Sequence, residues 1–176
     1  MRRVFLFRHA KSSWQTDGQD DFDRPLNARG RKSAPAMGAF MRENDIAPDL
    51  ILCSTAWRAR ETLALVLPHL RGETTIELED RLYLASATKL FARLKQLDHA
   101  RRQIMIVAHN PGLQDLALLL AAEDDSAERK AVEGAFPTGA LAQIDLPASA
   151  WSSIERHCGT LVRLVTPRAL MPGLQD

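Results

Sequence analysis

The sequence predicts a single α/β domain over residues 1–176, with a mostly parallel central sheet and helices on both faces. Short apolar runs alternate with helical segments, which is the pattern of a parallel sheet covered on both sides. The length of 176 residues suits one domain with a sizeable core. The composition, 45% hydrophobic and 26% charged, is ordinary for a globular protein.

Six short runs are predicted to be β-strands. Several of them are apolar at successive positions, as expected for strands that are buried on both faces. The predicted strands are Arg3–Phe7, Asp49–Cys53, Thr75–Leu78, Gln103–Ala108, Ala140–Leu146 and Thr160–Val165.

Four helices are predicted between these strands. Asn27 is expected to cap the first helix, whereas Pro35 inside it is expected to kink the helix or to reset its start. Ser54 or Thr55 is expected to cap the second helix, which Pro68 ends. Residues 14–25 are predicted to form a polar loop, and residues 123–133 a charged surface segment. The predicted helices extend from Asn27 toward Arg42, from the Ser54-Thr55 cap to about Leu67, over Ala87–Leu97 and over Gly112–Ala122.

Composition excludes several classes of partner. The formal net charge of +1 gives no electrostatic reason to expect nucleic acid or an anionic membrane as a partner. The apolar run before Arg8 is four residues long, too short for a signal peptide or a membrane span. Cys53 lies in an apolar run and is predicted to be a buried thiol, and the two cysteines form no metal pattern. The sequence therefore predicts a soluble, cytoplasmic protein and leaves its oligomeric state open.

Polar side chains follow the predicted strands in a repeated way. Arg8 and His9 come directly after the first strand, and His109 comes directly after the fourth. Arg58 lies in the first turns of the helix after the second strand. Because the carboxyl ends of parallel strands share one sheet edge, these side chains are expected to converge. Guanidinium groups match phosphate oxygens, and a neutral imidazole among them can attack phosphorus.

Four motifs also carry a resemblance to a known family. They are Arg8-His9-Ala10-Lys11-Ser12, Arg24-Pro25-Leu26 with Gly30, the segment from Ser54 through Arg58-Ala59 to Thr62, and His109-Asn110-Pro111-Gly112. In this order and combination they resemble the histidine phosphatase superfamily, and within it the phosphohistidine phosphatase SixA group. The resemblance extends over nearly the whole chain and implies a phosphoglycerate mutase-like fold.

The resemblance also implies roles for individual residues. It makes His9 the nucleophile, which becomes transiently phosphorylated. It implies no cofactor, and the histidines lack the short helical spacing of a zinc site, so no metal is expected. The other residues that it places at the site are Arg8, Arg58 and His109 around the phosphoryl group, with Ser12 and Gln15 as substrate-binding neighbours.

Two departures from the family pattern matter. The usual third residue of Arg-His-Gly is Ala10 here, which disfavours a positive φ at that position. Many members of the superfamily also carry a glutamate as proton donor after the third strand, and no acid of this chain falls clearly at that position. The possible acids are Glu79 and Asp80, with Asp17, Asp20 and Asp21 in the first loop as further candidates.

The uncertain acid favours one class of substrate. An alkoxide leaving group needs a proton, and general acid help is worth ~10²–10⁴-fold. Imidazole, whose conjugate acid has a pKa of about 6.5, leaves far more readily. We therefore expect a metal-independent phosphatase that acts through a phosphohistidine intermediate on protein phosphohistidine. The alternatives are a phosphatase of small phosphate esters or sugar phosphates, and a phosphate-recognition module without turnover.

Overall fold

The computed structural model describes residues 1–14 and 16–174. This part of the chain contains six strands and six helices, with four short 3₁₀ turns between them. The strands are β1 (Arg2–Arg8), β2 (Leu50–Ser54), β3 (Thr75–Glu79), β4 (Gln103–Ala108), β5 (Leu141–Leu146) and β6 (Thr160–Val165). The helices are α1 (Ala28–Glu43), α2 (Trp57–Val66), α3 (Ala87–Lys95), α4 (Gly112–Leu120), α5 (Ala127–Gly134) and α6 (Pro167–Leu170). Strands and helices alternate from β1 to α4.

The six strands form one sheet in the order β3-β2-β4-β1-β5-β6. The pairs β3–β2, β2–β4 and β4–β1 are parallel, while β5 and β6 add an antiparallel pair at one edge. The predicted α/β class and the mostly parallel sheet are therefore confirmed. In the register of β1 with β4, Arg8 lies opposite Ala108, so both strands end at the same level of the sheet.

Helices cover both faces of the sheet, and each face has its own apolar core. Because successive side chains of a strand point to opposite faces, β1 contributes to both cores. Phe5 and Phe7 pack with Met37 of α1 on one face. Val4 and Leu6 belong to the core that includes Leu113 of α4 on the other face. This packing fixes the end of β1, and with it the residues that follow.

The first helix runs from Ala28 to Glu43 without interruption at Pro35. The Asn27 side chain accepts a hydrogen bond from the Gly30 amide, as expected for the cap. The prediction that Pro35 resets the start of the helix is wrong. Buried Met37 and Met41 continue the same apolar face beyond the proline, and this packing stabilises the helix through it.

The second helix also differs from the sequence prediction at its start. Its N-cap is Ala56, and neither Ser54 nor Thr55 occupies that position. The Ser54 hydroxyl accepts a bond from the Ala56 amide at 3.3 Å and also contacts His109. Ser54 is therefore drawn toward the histidine after β4 rather than serving as the helix cap.

Cys53 is a buried free thiol, as predicted, and burial raises its pKa to about 12. Within residues 1–14 and 16–174, no helix has the length and apolar character needed to cross a bilayer.

Candidate active site

The ends of β1 and β4 bring the two sequence-predicted histidines together. His9 follows β1 and His109 follows β4, and their ring centroids are 5.2 Å apart. The His9 amide donates to the Ala108 carbonyl at 3.2 Å, which ties the end of one strand to the other. The Gly139 amide donates to the His9 carbonyl at 2.9 Å. Both imidazoles are buried, with 5% and 2% of their residue surfaces exposed.

The hydrogen bonds of His9 define its tautomer. Nδ1 lies 2.7 Å from the Ala10 carbonyl, which can only accept, so Nδ1 carries the proton. Nε2 then holds a lone pair, and it accepts a bond from Arg58 Nε at 3.2 Å. Burial lowers the pKa of His9 well below its ordinary value, and the nearby charges of Arg58 and Arg8 lower it further. His9 is consequently neutral at physiological pH, with an unprotonated Nε2 that faces Arg58.

Arg58 is buried between His9 and the first loop. Its Nη1 donates to the Asp21 main-chain oxygen at 2.6 Å, and its Nη2 donates to Asp21 Oδ2 at 3.1 Å. Thr62, one turn along α2, accepts a bond from the Ala10 amide and donates to the Arg58 carbonyl. The first helical turns of α2 are thereby fixed to the segment that carries His9.

Arg8 reaches the same cleft from the end of β1. Its Nη1 donates to the Phe136 carbonyl at 2.9 Å, while its Nε is buried and has no partner among the described residues. Asn110 Nδ2 donates to the same carbonyl at 3.0 Å. Arg8 is therefore anchored at one end of its guanidinium group and retains an unused donor near the histidines.

His109 has one bonded ring nitrogen and one without a partner. Its Nε2 lies 2.8 Å from the Ser54 hydroxyl, whereas its Nδ1 is buried with no hydrogen-bond partner among the described residues. Burial lowers the pKa of His109 to about 3, and the charge of Arg58 contributes to this shift. A neutral His109 that accepts the Ser54 proton at Nε2 has its own proton on Nδ1, where it can serve a ligand.

The departure at Ala10 is accommodated by the backbone. Outside glycine, the positive φ values of the described chain belong to Asp45, Leu84 and His157, so Ala10 does not need the freedom of glycine. Close backbone approach occurs instead at Gly30, where an added Cβ would lie 2.1 Å from the Lys11 carbonyl oxygen.

The converging side chains line a cleft of about 320 Å³. Arg8, Arg24, Arg58 and Lys11 contribute positive charge to it, and Asp21 is its one carboxylate among the described residues. A separate cleft of about 760 Å³ on the other side of the Asp21–Asp23 turn contains neither histidine. The cleft at the strand ends is lined by Arg8, His9, Lys11, Ser12, Trp14, Asp21, Arg24, Arg58, Leu84, His109, Asn110 and Thr138.

The two substrate-binding residues that the resemblance implied have different outcomes. Ser12 lines the cleft, and its hydroxyl accepts a bond from Arg24 Nη1 at 2.8 Å. Gln15 lies outside the described residues.

The structure does not bring the two main acid candidates into the cleft. Glu79 is held by Arg93, whose Nε donates to Glu79 Oε1 at 2.9 Å, and Asp80 accepts a bond from the Thr55 hydroxyl at 2.6 Å. Glu79 ends the edge strand β3 and forms ion pairs with Arg81 and Arg93, and Asp80 begins the 3₁₀ turn that follows. Asp17 and Asp20 also do not line the cleft, so Asp21 is the one candidate acid that does.

Two further residues, Arg24 and Tyr83, take part in the site although the sequence predicted no role for them. Arg24 is nearly buried, and its Nε donates to Asp21 Oδ1 at 3.0 Å. The Tyr83 hydroxyl donates to Asp21 Oδ2, and its ring packs edge-on against His109 with centroids 5.4 Å apart. Arg24 was visible in the Arg24-Pro25-Leu26 motif, but only the folded chain brings Tyr83 to Asp21. No group of three metal-ligating side chains occurs in the described part of the chain.

Known proteins are similar to this chain in sequence and in fold. A profile of the histidine phosphatase superfamily (branch 1) matches residues 4–84. The uncharacterised protein Rv1276c of Mycobacterium tuberculosis is 35% identical over 163 residues, covering 92% of this chain and 99% of that protein. A candidate phosphohistidine phosphatase SixA from Agrobacterium tumefaciens has a solved structure with 30% identity and a TM-score of 0.80, covering 94% of this chain and 98% of that one. A candidate SixA from Nakamurella multipartitia, 25% identical, gives a TM-score of 0.82 over 94% of this chain and 96% of that one.

The chain therefore belongs to the histidine phosphatase superfamily and is a phosphatase. Within the superfamily, it is similar in length and fold to the structures of candidate SixA phosphohistidine phosphatases.

Proposed function

We propose that this protein is a metal-independent phosphatase that removes the phosphoryl group from protein phosphohistidine through a phosphorylated His9. The observation that carries the proposal is the state of His9. Its ring is neutral, its Nδ1 proton is held by the Ala10 carbonyl, and its Nε2 lone pair lies among arginines. A neutral imidazole in such a setting is a nucleophile for phosphorus.

In the first step, His9 Nε2 forms a bond to phosphorus as the bond from phosphorus to the substrate nitrogen breaks. The leaving imidazole departs with the electron pair of that bond. The His9 ring keeps its proton on Nδ1, where it is hydrogen-bonded to the Ala10 carbonyl. With phosphorus bonded to Nε2 as well, the imidazole ring carries a positive charge. This charge makes the ring a good leaving group. In the second step water attacks phosphorus, the bond from phosphorus to Nε2 breaks with its electron pair returning to the ring, and dihydrogen phosphate leaves with both protons of the water. His9 is then neutral again.

The cleft offers donors for the oxygens of the transferred group. Arg58 Nε already lies beside the attacking nitrogen, and Arg8 Nε and His109 Nδ1 are buried without partners among the described residues. Donors in place before reaction stabilise the charge that develops on equatorial phosphoryl oxygens. We infer that the phosphoryl group accepts bonds from these three atoms.

The proton balance favours a phosphorus–nitrogen bond over an ester bond. Asp21 is the one candidate acid at the cleft, and although burial alone would raise its pKa, the Tyr83 hydroxyl and the Arg58 and Arg24 guanidiniums lower it to about 2. It is thus a carboxylate at neutral pH and cannot supply a proton. A phosphohistidine that is protonated on its second ring nitrogen needs no proton from the enzyme, because its leaving group is a neutral imidazole. The leaving group of an alkyl phosphate is an alkoxide, which does need a proton.

The mouth of the cleft also suits a side chain presented by another protein. Trp14 is 74% exposed and Leu84 is 55% exposed, although both line the cleft. Exposed aromatic and aliphatic side chains around a small polar cleft are typical of a protein contact surface. A small sugar phosphate would leave these apolar groups in water.

The test is a side-by-side hydrolysis assay on a phosphohistidine protein, an aryl phosphate and an alkyl phosphate. We expect fast turnover of the first two substrates and turnover of the alkyl ester that is lower by ~10²–10⁴-fold. Glu79→Gln and Asp80→Asn test whether either carboxyl group is a proton donor. Both variants should retain the wild-type rate on phosphohistidine, because neither carboxylate lines the cleft.

Two outcomes would contradict the proposal. Fast alkyl-ester turnover that collapses in one of these variants would identify a proton donor and a small-ester phosphatase. Phosphate binding without turnover of any substrate would identify a recognition module instead.

A further inference from the structure

Asp21 occupies an unexpected place for a carboxylate, since it lines a cleft suited to an anion. It contacts the end of the Arg58 guanidinium through two oxygens: its main-chain oxygen at 2.6 Å from Nη1 and its Oδ2 at 3.1 Å from Nη2. The opposite side of the same group, at Nε, contacts His9. Arg58 can therefore hold Asp21 and a phosphoryl oxygen at the same time, so the carboxylate need not leave when substrate binds.

Asp21 is itself held from two directions. The Tyr83 hydroxyl donates to Oδ2, and Arg24 Nε donates to Oδ1 at 3.0 Å. The Tyr83 ring packs edge-on against Phe22, with centroids 5.1 Å apart, so the Asp21–Asp23 turn is clamped where it faces the cleft. A carboxylate fixed in this way gives Arg58 one orientation.

We propose that Asp21 is a positioning residue that aims the Nε side of Arg58 at His9 and at the phosphoryl group. The inference rests on the proposed function, because it assigns the purpose of the Arg58 orientation to phosphoryl transfer. A side chain as long as arginine has many rotamers, and a displacement of about 1 Å at a reacting centre can lower a rate by ~10²-fold. The negative charge of Asp21 simultaneously repels a phosphate dianion.

These two effects predict a split between catalysis and binding. Replacing Asp21 with asparagine removes the charge that orients Arg58, so kcat should fall by about 10–100-fold. The same change removes a negative charge from the cleft, so inhibition by inorganic phosphate should be as strong as in the wild type or stronger. A purely structural role would lower the folded fraction and leave the kcat of the folded protein and its phosphate inhibition unchanged.

The experiment measures kcat on an aryl phosphate and the inhibition constant of inorganic phosphate for the wild type, Asp21→Asn and Asp23→Asn. Asp23 lies in the same turn, is exposed and does not line the cleft, so its variant should match the wild type. Tyr83→Phe removes one of the bonds that hold Asp21 and keeps the ring. It should lower kcat less than Asp21→Asn does, and it tests the proposal if Asp21→Asn does not fold.

The outcomes separate the two proposals. Absence of wild-type turnover on every substrate overturns the proposed function and the role of Asp21 with it. Wild-type turnover with an unchanged or raised kcat in Asp21→Asn overturns the positioning role alone, and a raised kcat would mean that Asp21 competes with substrate for Arg58. A loss of kcat accompanied by equally weakened phosphate inhibition also overturns it.

Discussion

The two buried histidines should make the stability of this protein fall steeply below neutral pH. The pKa of His109 is about 3 and that of His9 is well below its ordinary value, in both cases first because of burial. In the unfolded chain, both rings have a pKa of about 6.5. The unfolded state therefore binds protons below about pH 6.5 that the folded state does not bind, so stability is fully present above that pH and is lost as the pH falls.

The size of the effect follows from this linkage. Between about pH 7.5 and about pH 5.5, each histidine that stays neutral only in the folded state lowers the free energy of unfolding by about 1.4 kcal/mol. The two rings together give about 3 kcal/mol, a large part of the stability of an ordinary domain. The carboxylates with lowered pKa values, such as Asp21 and Asp145, contribute little in this window because unfolded carboxylates titrate near pH ~4.

The assay is urea unfolding at several pH values across that window. His9→Gln and His109→Gln should each remove about half of the slope, whatever their effect on stability at neutral pH. His99→Gln is the matched control, because His99 is exposed, and it should keep the full slope. A wild-type slope near zero, or a slope that both site variants leave intact, would refute the neutral nucleophile.

Three further predictions concern chemistry and packing. His9→Ala should abolish turnover, and rapid quenching should find acid-labile phosphate on the wild type and none on the variant; residual turnover in a folded variant would exclude the covalent route. EDTA should leave activity unchanged while vanadate inhibits, since arginines and imidazoles supply the charge; recovery of lost activity by added metal would contradict this. Gly30→Ala should destabilise the folded protein by ~1–3 kcal/mol, because the added Cβ would lie 2.1 Å from the Lys11 carbonyl oxygen. Gly134→Ala is the control, since its Cβ would meet no atom within 4 Å, and it should not destabilise the protein. Equal unfolding midpoints for the two variants would disprove the close contact.

The convergence of the site could be predicted from sequence because it depends on strand ends. An apolar run that stops at Arg8-His9 and another that stops at His109 define two ends of one parallel sheet, and the register of β1 with β4 places them at the same level. The position of Arg58 follows from the helix after β2 in the same way. Such features are local in sequence and are carried to the site by the regular geometry of the sheet.

Features that depend on distant packing could not be predicted in this way. The prediction for Pro35 is wrong because burial of the apolar face that continues through Met37 and Met41 outweighs the local preference of proline. Helix α5 overlaps the segment predicted only as charged surface, because its residues are mostly charged or small and Val132 is its one buried side chain. Its support is a Ser126 cap and a pair between Arg129 and Glu133.

Asp21 shows the same limit within the site itself. Five carboxylates were plausible acids on sequence grounds, and nothing local distinguishes Asp21 from its neighbours in the polar loop. Its distinction comes from Tyr83, 62 residues away, and from Arg58 on another element. Those same contacts lower the pKa of Asp21 to about 2, so its carboxyl group is ionised at neutral pH and has no proton to donate. The fold thus converts a candidate acid into a fixed charge.

In the proposed mechanism, the charges at this site act on His9 as well as on the substrate. Arg58 and Arg8 lower the pKa of His9 beyond the effect of burial, which keeps Nε2 unprotonated, and both present donors to the place where a phosphoryl group would bind. A proton donor in the same cleft would have to keep its proton beside those cations, which favour its ionised form. A cleft arranged in this way suits a substrate that brings its own leaving-group proton, and phosphohistidine is such a substrate.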